Sequence, residues 1–437
     1  MTEELEDIKK EFEKDGVKFV QLVFMDILGM VKSVSIPLSR FEKSMEEGIT
    51  FDASSIVGYA TIEESDMRAL PILSTFQMLP WLEARTARFM CSIHYPNGDR
   101  FPGDPRYVLE RLIERHRDYT MNVGPECEFF LFKMNNNRPT TELEDYGGYF
   151  DLLPLDRGEK VRREIVENLE AVGFEVEASH HEVAPSQHEI DFVYSDALTT
   201  ADRVSTLIQT TKTIALEHGL YATFMPKPLY GVNGSGMHVH LSLFDEKGNV
   251  FDDPDCEWGL SELGLNFLGG LMAHAREVSG VLSSWANSYK RLVPGYEAPT
   301  YISWANLNRS AWIRVPTGRE EKTRFEVRSP DPAGNPYLQF AVLLKAGMDG
   351  IEKKIEPPGP VEKDIYAMSK DERAEFGIEP LPENLGEALR EMKRSELVRD
   401  VLGDHIFKHF LHFKEMEWDD YKSRLTQWEV EKYLPIL

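Results

Sequence analysis

Cysteine is scarce in this chain, and no cysteine pair has the spacing of a thiolate metal site. The three cysteines are Cys91, Cys127 and Cys256. An odd count without a C-x-x-C pair argues against a disulfide framework and favours a reducing compartment. No apolar run reaches the roughly 20 residues of a membrane helix, and the charged N-terminus lacks the apolar stretch of a signal peptide. We therefore expect a cytoplasmic protein with no membrane partner.

Basic residues are also few relative to acidic ones. The chain has 49 Lys and Arg against 74 Asp and Glu, which gives a net charge of −25 at pH 7. Nucleic-acid binding requires a basic face, so this balance argues against a nucleic-acid partner. No Gly-Lys pair occurs in the sequence, which excludes a Walker A loop. The acidity fits solubility and the binding of hard cations without proving either.

The chain is long enough for two unequal domains, because it has 437 residues of which 42% are hydrophobic. Strand patterns dominate the first 100 residues, and the Gly-, Pro- and Asp-rich residues 98–105 predict a linker or domain edge. Helices and strands then mix without βαβ alternation, which predicts an α+β fold. Strands are predicted at residues 17–24, 32–36, 86–95, 127–132, 187–194, 236–244 and 324–328. Helices are predicted at residues 105–117, 158–172, 200–218, 260–282 and 337–355.

Several predicted strands carry charged or metal-binding side chains two positions apart, so that both members of a pair project from one face. The pairs are Glu126 with Glu128, His238 with His240, Glu326 with Arg328, and Glu182 before a strand with Glu189 on it. Converging carboxylates repel unless cations lie among them. Oxygen ligands with one imidazole suit Mg²⁺ or Mn²⁺. Each pair alone is more simply a solvated sheet face, but the set favours a metal site.

A glycine-rich turn and a group of arginines indicate anion binding. Residues 233–236, Asn-Gly-Ser-Gly, could bring backbone N–H groups close to an anion, although a turn before a strand is the simpler explanation. Arginine binds carboxylates and phosphates through paired hydrogen bonds, and metal ions with arginines are typical of phosphoryl transfer. The arginines are Arg291, Arg309, Arg314, Arg324 and Arg328.

Long motifs occur in series along the chain. They read FDASSI, IEESDM, GPECEFF, HHEVAPSQHEIDF, FMPKPLYGVNGSGMHVHLS, NSYKRLVPGYEAP, NRSAWIR and RFEVRSPDPAGNPYL. In this order and spacing they resemble type I glutamine synthetases over nearly the whole length, and the short chain resembles the α subtype. The resemblance implies ATP-dependent ligation of ammonia to L-glutamate through γ-glutamyl phosphate, in nitrogen assimilation.

The resemblance also implies an architecture. We expect a small β-grasp-like domain at residues 1–100 and a catalytic domain at residues 101–437, with a curved antiparallel sheet flanked by helices. The family assembles as a dodecamer of two hexameric rings, with active sites between subunits. The apolar residues 428–437 fit docking on a partner, although folding back on their own domain is the alternative.

Site residues follow from the same resemblance, with two or more Mg²⁺ or Mn²⁺ ions per site and ATP as co-substrate. One ion would be bound by Glu128, Glu182 and Glu189. A second would be bound by Glu126, His238 and Glu326. Glutamate would contact Asn233, Gly234, Arg291, Glu297, Arg309 and Arg328. The nucleotide or the moving phosphoryl group would contact Glu177, His240, Ser242, Arg309, Arg314 and Arg324.

Three of the implied residues would act in the chemical step. Glu297 would lie on a flap that closes over the intermediate, and Arg309 would contact the transferred group. Asp52 would come from a neighbouring subunit, where it helps to bind and deprotonate ammonium.

The sequence departs from the family pattern at several positions. Ala53 stands where the family usually has Gly, which would cost on the order of 1 kcal/mol if the backbone there needs positive φ. A family lysine is Glu321 here, and we assign no role to the adjacent Lys322. Thr61 replaces an arginine implicated in glutamine feedback, so we predict weak inhibition.

Two further departures concern other regulators. Gln21 replaces an arginine of a 2-oxoglutarate site that uses Phe19, with Arg88, Arg162 and Arg163 as candidate partners, so we predict weakened or absent activation. Tyr366 lacks the Asp-Leu-Pro-Pro sequence that follows the adenylylated tyrosine of the β subtype. We predict that it is unmodified and packs locally.

Two alternative functions remain open from the sequence. A γ-glutamyl–polyamine ligase would share the ATP, metal and glutamate residues but accept a larger amine, whereas Asp52 with Ser54 and Ser55 favours ammonia. A non-catalytic relative should have lost metal ligands, and all six positions are filled.

Overall fold

A computed structural model describes residues 3–60, 65–82 and 85–437. These residues form a six-stranded sheet near the N-terminus and an eleven-stranded sheet in the remainder, with helices around both. The predicted α+β class is confirmed. The boundary predicted at residue 100 lies between the last strand of the first sheet and the first helix that follows it.

The first sheet has the order β2-β1-β6-β4-β3, with β5 also paired to β6. Its strand β1 runs antiparallel to β2 and parallel to β6. The three strands predicted here are present, with ends shifted by one or two residues. The elements are α1 (Glu3–Asp15), β1 (Phe19–Met25), β2 (Val31–Pro37), α2 (Phe41–Glu47), β3 (Ile49–Asp52), β4 (Asp66–Pro71), β5 (Gln77–Leu79) and β6 (Thr86–His94).

The second sheet is built around one long strand, β7, which pairs with strands on both sides. The path through the sheet is β15-β16-β17-β13-β7-β10-β9, and its neighbours are antiparallel except for β15 with β16. The strands are β7 (Thr120–Asn135), β8 (Arg138–Leu143), β9 (Val176–His181), β10 (Gln187–Phe192), β11 (Ser195–Asp196), β12 (Leu220–Thr223), β13 (Met237–Asp245), β14 (Gly248–Asn249), β15 (Trp304–Ala305), β16 (Ile313–Arg314) and β17 (Phe325–Val327).

Strand β7 is much longer than the six residues predicted from its apolar run. Residues 129–132, Phe-Phe-Leu-Phe, are buried on both faces of the sheet. A strand covered on both sides loses the alternation of apolar and polar residues, so its ends cannot be located from that pattern.

Helices surround the second sheet, and none of the described helices is long and apolar enough to cross a membrane. They are α3 (Pro105–Arg115), α4 (Glu159–Ala171), α5 (Ala197–Glu217), α6 (Glu262–Ala273), α7 (Ala275–Leu282), α8 (Ser288–Arg291), α9 (Pro336–Lys353), α10 (Lys370–Glu375), α11 (Leu385–Arg394), α12 (Glu396–Ser423) and α13 (Gln427–Tyr433).

One predicted helix is wrong in its continuity, because residues 260–282 form α6 and α7 rather than a single helix. The break is at His274, whose backbone leaves the helical region at φ −99° and ψ 5°. Its ring lies 2.9 Å from Asp349 Oδ2 on α9, so a side-chain contact with a neighbouring helix accompanies the break.

Helices α6 and α9 approach each other at backbone distance. A Cβ atom on Gly270 would lie 2.2 Å from the carbonyl oxygen of Ala346, and one on Gly350 would lie 2.1 Å from that of Asn266. Only glycine permits this approach, which brings the two helices into backbone contact.

The apolar C-terminal residues do not fold back on the chain. Leu434 is 75% exposed and Leu437 is 99% exposed, and Trp428 on α13 is 61% exposed. Of the two possibilities left open by the sequence, the structure favours a surface available to a partner.

Buried polar contacts join the two sheet regions. Asn335 Nδ2 donates to the carbonyl oxygen of Asp26 at 2.9 Å. The buried guanidinium of Arg88 on β6 donates to Thr206 Oγ1 at 2.6 Å and Gln209 Oε1 at 3.0 Å, both on α5. The first sheet is therefore fixed against the second by directional bonds as well as by packing.

Asp104 caps helix α3 at the edge between the two regions. Its carboxylate accepts hydrogen bonds from the backbone N–H groups of Arg106 at 3.0 Å and Ile93 at 3.2 Å. Burial raises the pKa of Asp104 to about 6, although the nearby charge of Arg100 opposes that rise. An ordinary aspartate has a pKa of about 3.9, so the folded protein binds this proton more tightly than the unfolded chain does.

We predict that the wild type loses stability relative to Asp104→Asn as the pH rises from about 4 to about 7. Ionisation of the buried carboxyl disfavours the folded state through this range, whereas asparagine does not ionise. The difference in free energy of unfolding between the two proteins should change by on the order of 3 kcal/mol over this range, at 1.36 kcal/mol per pKa unit. Guanidinium unfolding of both proteins would measure it. If the unfolding free energies of the two proteins changed in parallel with pH, the raised pKa of Asp104 would be contradicted.

Candidate active site

Two adjoining cavities open on one face of the second sheet. The acidic cavity, of about 550 Å³, is lined by carboxylates and arginines, and the adjoining cavity, of about 490 Å³, lies further along β13. They share Glu126, Ala178 and Asp191 in their walls. Predicted residues lining the acidic cavity are Glu126, Glu128, Glu182, Glu189, Asn233, Gly234, His238, Arg291, Glu297, Arg309, Arg314, Glu326 and Arg328. Predicted residues lining the adjoining cavity are Glu126, Glu177, His240, Ser242 and Arg324.

Strand register brings the predicted pairs side by side. On one side of β7, Glu189 of β10 lies opposite Glu128 and Asp191 lies opposite Glu126. On the other side, His238 of β13 lies opposite Glu126. Side chains at alternate positions share a face, so neighbouring strands in this register place all of these groups in one layer.

The first acidic group consists of Glu128, Glu182 and Glu189. Glu128 Oε2 accepts hydrogen bonds from Gln187 Nε2 and from the backbone N–H of Gly236, both at 2.9 Å. His180 Nε2 lies 3.2 Å from Glu189 Oε1, and its Nδ1 lies 3.5 Å from Glu182 Oε1. Potential ligand atoms of His180, Glu182 and Glu189 all lie within 4.8 Å of one another.

These carboxyls hold their protons unusually tightly. Burial and the charge of Glu182 raise the pKa of Glu128 to about 8. Burial raises the pKa of Glu182 to about 7, and the charge of Glu297 acts in the same direction. Burial and the charge of Asp191 raise the pKa of Glu189 well above its usual range. A bound divalent cation would favour the ionised forms, so this group has the chemistry of a cation site.

The carboxylates of the second group are already paired within the chain, Glu126 with two histidines and Glu326 with two arginines. Glu126 lies 3.0 Å from His238 Nδ1 and 2.8 Å from His240 Nε2. Burial alone would raise the pKa of Glu126, but these two hydrogen bonds hold it well below its usual range. Glu326 accepts from Arg328 Nη1 at 2.6 Å and from Arg314 Nε. Burial opposes ionisation of Glu326, but the charge of Arg328 outweighs it and lowers the pKa.

The tightest part of this group differs from the predicted set of ligands. Potential ligand atoms of Glu126, His240 and Glu326 lie within 4.8 Å of one another. The predicted ligand His238 lies beside them, with its Nδ1 at 3.8 Å from Glu326 Oε1. Oxygen atoms with imidazole nitrogen fit Mg²⁺ or Mn²⁺, and either histidine can supply the nitrogen after a side-chain rotation.

The arginines divide into buried and cavity-facing ones. Arg291 donates to the carbonyl oxygens of Ser329 at 2.9 Å and Arg328 at 3.0 Å, so this side chain also supports the loop after β17. Arg324 Nε donates to His240 Nδ1 at 3.1 Å in the adjoining cavity. Arg309 lines the acidic cavity. Positive charge therefore borders both cavities, as the binding of carboxylate and phosphate groups requires.

Comparison with known proteins identifies the chain's relatives. The family model described as glutamine synthetase, beta-Grasp domain, matches residues 16–96, and that described as glutamine synthetase, catalytic domain, matches residues 102–433. This chain belongs to the glutamine synthetase family.

Curated relatives agree with this assignment. The glutamine synthetase of Thermus thermophilus is 52% identical over 437 residues, which cover 98% of each chain. That of Methanosarcina mazei is also 52% identical over 437 residues, covering 99% of this chain and 98% of the relative. The predicted family and its β-grasp and catalytic architecture are thereby confirmed.

Solved structures show the same fold. A GmaS/ADP complex superposes with a TM-score of 0.89 at 33% identity, covering 98% of this chain and 99% of that one. The Plasmodium falciparum glutamine synthetase, solved by cryo-electron microscopy, superposes with a TM-score of 0.88 at 25% identity over 99% of both chains.

Asp52 is not among the described residues that line the two cavities, although the family resemblance assigns it to ammonium binding. Its carboxylate is exposed and accepts hydrogen bonds from Ser54 Oγ at 2.6 Å and Ser55 Oγ at 3.2 Å. Hydrogen bonds from Ser54 lower the pKa of Asp52. The carboxylate of Asp52 is therefore exposed and away from the two described cavities of its own chain.

The backbone strain that Ala53 would have at a positive φ does not arise. Ala53 begins the 3₁₀ turn Ala53–Ser55 and is not among the described residues with positive φ. The family's glycine is therefore not required here for its backbone conformation.

The residues singled out for regulation have differing environments. Thr61 lies outside the described residues. Arg88 and Arg162 are buried and bonded within the chain, Arg162 to Asp156 at 2.8 Å, so neither presents a free guanidinium to an effector. The amide oxygen of Gln21 is buried without a hydrogen-bond partner among the described residues. Weakened 2-oxoglutarate activation stays a prediction.

The hydroxyl of Tyr366 donates to the carbonyl oxygen of Ala298, and its ring is half-buried. This local packing matches the sequence prediction, and the predicted absence of adenylylation remains to be tested.

Several cavity residues were missed from the sequence. Asp191 and Gln187 flank Glu189 at two-residue spacing on β10, so the same-face rule could have found both. His180, Tyr149 and Phe150 also line the acidic cavity, and the two aromatic rings stack with centroids 4.1 Å apart. No sequence pattern indicated these aromatic residues, because they lie on a loop with no periodicity.

We predict that Glu326→Gln weakens Mn²⁺ binding about 10- to 100-fold. Glutamine keeps the shape but removes a charge, and a charged hydrogen-bonding interaction contributes about 1.5–3 kcal/mol. Calorimetric titration with Mn²⁺ would measure the change, with Glu246→Gln, an exposed acid in the turn after β13, as control. Equal affinities in the two variants would remove Glu326 from the metal site.

Proposed function

We propose that the chain joins ammonia to the γ-carboxylate of L-glutamate with ATP as co-substrate, giving glutamine, ADP and phosphate. The observation that carries this proposal is the pair of contiguous cavities, one lined by carboxylates and arginines and the other by His240, Arg324 and Glu177. Membership of the glutamine synthetase family supports it. Nitrogen assimilation is the corresponding cellular role.

Two cation positions are proposed in the acidic cavity. Glu128, Glu182 and Glu189 would hold one Mg²⁺ or Mn²⁺ ion, and Glu126, Glu326 and a histidine, His238 or His240, would hold the other. When bound, such ions neutralise phosphate charge and polarise the carboxylate of glutamate. The clustered ligand atoms at Glu182 and Glu189, together with carboxyl pKa values raised by burial at Glu128 and Glu182, fit a cation at the first position.

The chain's own residues would orient the two substrates. Arg328, Arg291, Asn233 and Gly234 line the end of the acidic cavity where the carboxylates of glutamate can be bound by paired donors. Arg309, Arg314 and Arg324 would contact the phosphates, while Glu177, His240 and Ser242 contact the nucleotide in the adjoining cavity. The γ-carboxylate oxygen would then face the terminal phosphorus in line.

Glu297 would serve the second half of the reaction. The γ-glutamyl phosphate intermediate reacts with ammonia but also with water, so the site has to close. Glu297 projects into the acidic cavity, where Asn233 Nδ2 donates to its Oε2 at 3.2 Å. Its negative charge, with that of Glu182 and a neighbour's Asp52, would attract ammonium, and a carboxylate would accept the proton that is released.

A homo-oligomer, a dodecamer of two hexameric rings, is proposed with this function. Asp52 is exposed outside its own cavity, and the apolar residues after α12 are exposed as well. Both features fit sites completed by a second copy of the chain. A cytoplasmic location is proposed from the cysteine content, and all three cysteines are free thiols.

The polyamine ligase is not favoured, because the relatives at 52% identity are named glutamine synthetases. The non-catalytic alternative is not favoured either, since the six predicted metal ligands are present along the walls of the acidic cavity.

We predict that purified protein with Mg²⁺, ATP and glutamate forms glutamine and ADP in equal amounts when ammonium is added. Replacing ammonium by putrescine should give no amide product, because Glu182 and Glu297, which line the acidic cavity, would bind the small ammonium ion. Chromatographic measurement of ADP and amide product would decide the matter. Faster product formation with putrescine would establish the alternative amine ligase instead.

We also predict complementation between two inactive variants. Asp52→Ala and Arg328→Ala should each lose activity, but a co-assembled mixture should recover about a quarter of it, since each half of a shared site is wild type with even odds. Native mass spectrometry would verify mixed particles. Separately assembled particles combined after purification are the control, and mixed particles without activity would contradict a shared site.

A further inference from the structure

The loop that carries Glu297 has a strained backbone. Glu297 has φ +57° and Gly295 has φ +94°. A residue with a side chain rarely adopts this left-handed conformation, and it persists only where surrounding contacts determine it. Contacts around residues 295–298 must therefore hold the loop in place.

Two of these contacts come from residues with another proposed task. Asn233 Nδ2 donates to Glu297 Oε2 at 3.2 Å, and Arg328 Nη2 donates to the Glu297 carbonyl oxygen at 3.3 Å. Both donors belong to the proposed glutamate site, so a bound glutamate would compete with the loop for them. An anchor outside the substrate site is needed if the loop is to stay closed while glutamate and the acyl phosphate occupy the cavity.

Tyr366 provides such an anchor. Its hydroxyl donates to the carbonyl oxygen of Ala298, the residue directly after Glu297. Ala298 lines the acidic cavity but is only 2% exposed, and Tyr366, which supplies the hydroxyl, is not among the described residues that line either cavity. Substrate therefore does not compete for this hydrogen bond.

The segment around Tyr366 is itself firmly held. Tyr366 lies in the 3₁₀ turn Ile365–Ala367, where Asp364 Oδ1 accepts from its backbone N–H at 3.0 Å. Arg373 Nη1 donates to the carbonyl oxygen of Ile365 at 3.3 Å, and Ile365 is fully buried. The hydroxyl is thus presented to Ala298 from a fixed support.

We propose that Tyr366 is a positioning residue that holds Glu297 over the acyl phosphate by bonding the Ala298 carbonyl. This inference rests on the proposed function. Without the anchor, water reaches γ-glutamyl phosphate and hydrolyses it to glutamate and phosphate. Each such turnover consumes one ATP and releases ADP and phosphate without forming glutamine.

The test is Tyr366→Phe, which removes the hydroxyl and keeps the ring. We expect the share of ADP formed without glutamine to rise about tenfold, and kcat/KM for ammonium to fall by a similar factor, for the loss of one hydrogen bond. The KM for ATP should change less than about twofold, because the adjoining cavity is untouched. Tyr301→Phe is the matched control, since no described residue bonds the hydroxyl of this neighbouring ring, 6.4 Å away.

A double variant separates positioning from general packing. If Tyr366 acts through Glu297, Glu297→Gln/Tyr366→Phe should be no more uncoupled than Glu297→Gln alone. Additive losses, an unchanged ratio of glutamine to ADP in Tyr366→Phe, or equal losses in Tyr301→Phe would each overturn the proposal.

Amide hydrogen exchange tests, independently of activity, whether Tyr366 holds the loop. Amides of residues 296–300, in which Pro299 has none, should exchange faster in Tyr366→Phe than in the wild type, and unchanged exchange would overturn the anchor. If the wild type makes no glutamine, the proposed function fails, and the exchange result still decides whether Tyr366 holds the loop.

Discussion

The rest of this structure depends on the repulsion among carboxylates that are crowded on two adjacent strands. Glu126 and Glu128 of β7 lie opposite Asp191 and Glu189 of β10, and Glu128 and Glu189 are buried. Their mutual repulsion disfavours the folded site, and the chain offsets it only in part. Arginine offsets the negative charge near Glu326 and histidine hydrogen-bonds Glu126, whereas burial and the charge of Glu182 raise the pKa of Glu128. A bound cation would therefore be stabilised most on the side near Glu128, where the chain supplies least positive charge.

Holding these groups together requires a rigid scaffold around β7. This strand is paired on both edges and buried on both faces over much of its length, so it cannot shift to relieve the repulsion. Helices α6 and α9 meet backbone to backbone within the same body of the fold. Interiors packed at this density transmit strain rather than absorb it, which lets like charges stay in place.

The sequence was informative where a short-range rule applied. Side chains two apart on a strand share a face, so the grouping of Glu126 with Glu128 and of His238 with His240 followed from spacing alone. Which histidine completes the second group depends on rotamers and strand register, and these lie beyond local spacing. The break at His274 reflects a contact with Asp349 that is 75 residues away. The aromatic pair at the cavity wall lies on an irregular loop, for which no periodicity exists.

The placement of β7 at the centre of the sheet also governs which changes in chain length the protein can tolerate. A single inserted residue before Glu126 would turn that side chain and Glu128 to the opposite face and carry their buried neighbours with them. The β7–β8 hairpin, where Asn136 and Asn137 have left-handed φ values of 51° and 58°, lies beyond both carboxylates and reaches solvent. Insertions are therefore accommodated at that hairpin and excluded from the first half of the strand, so length variation among homologous chains should concentrate at the tip.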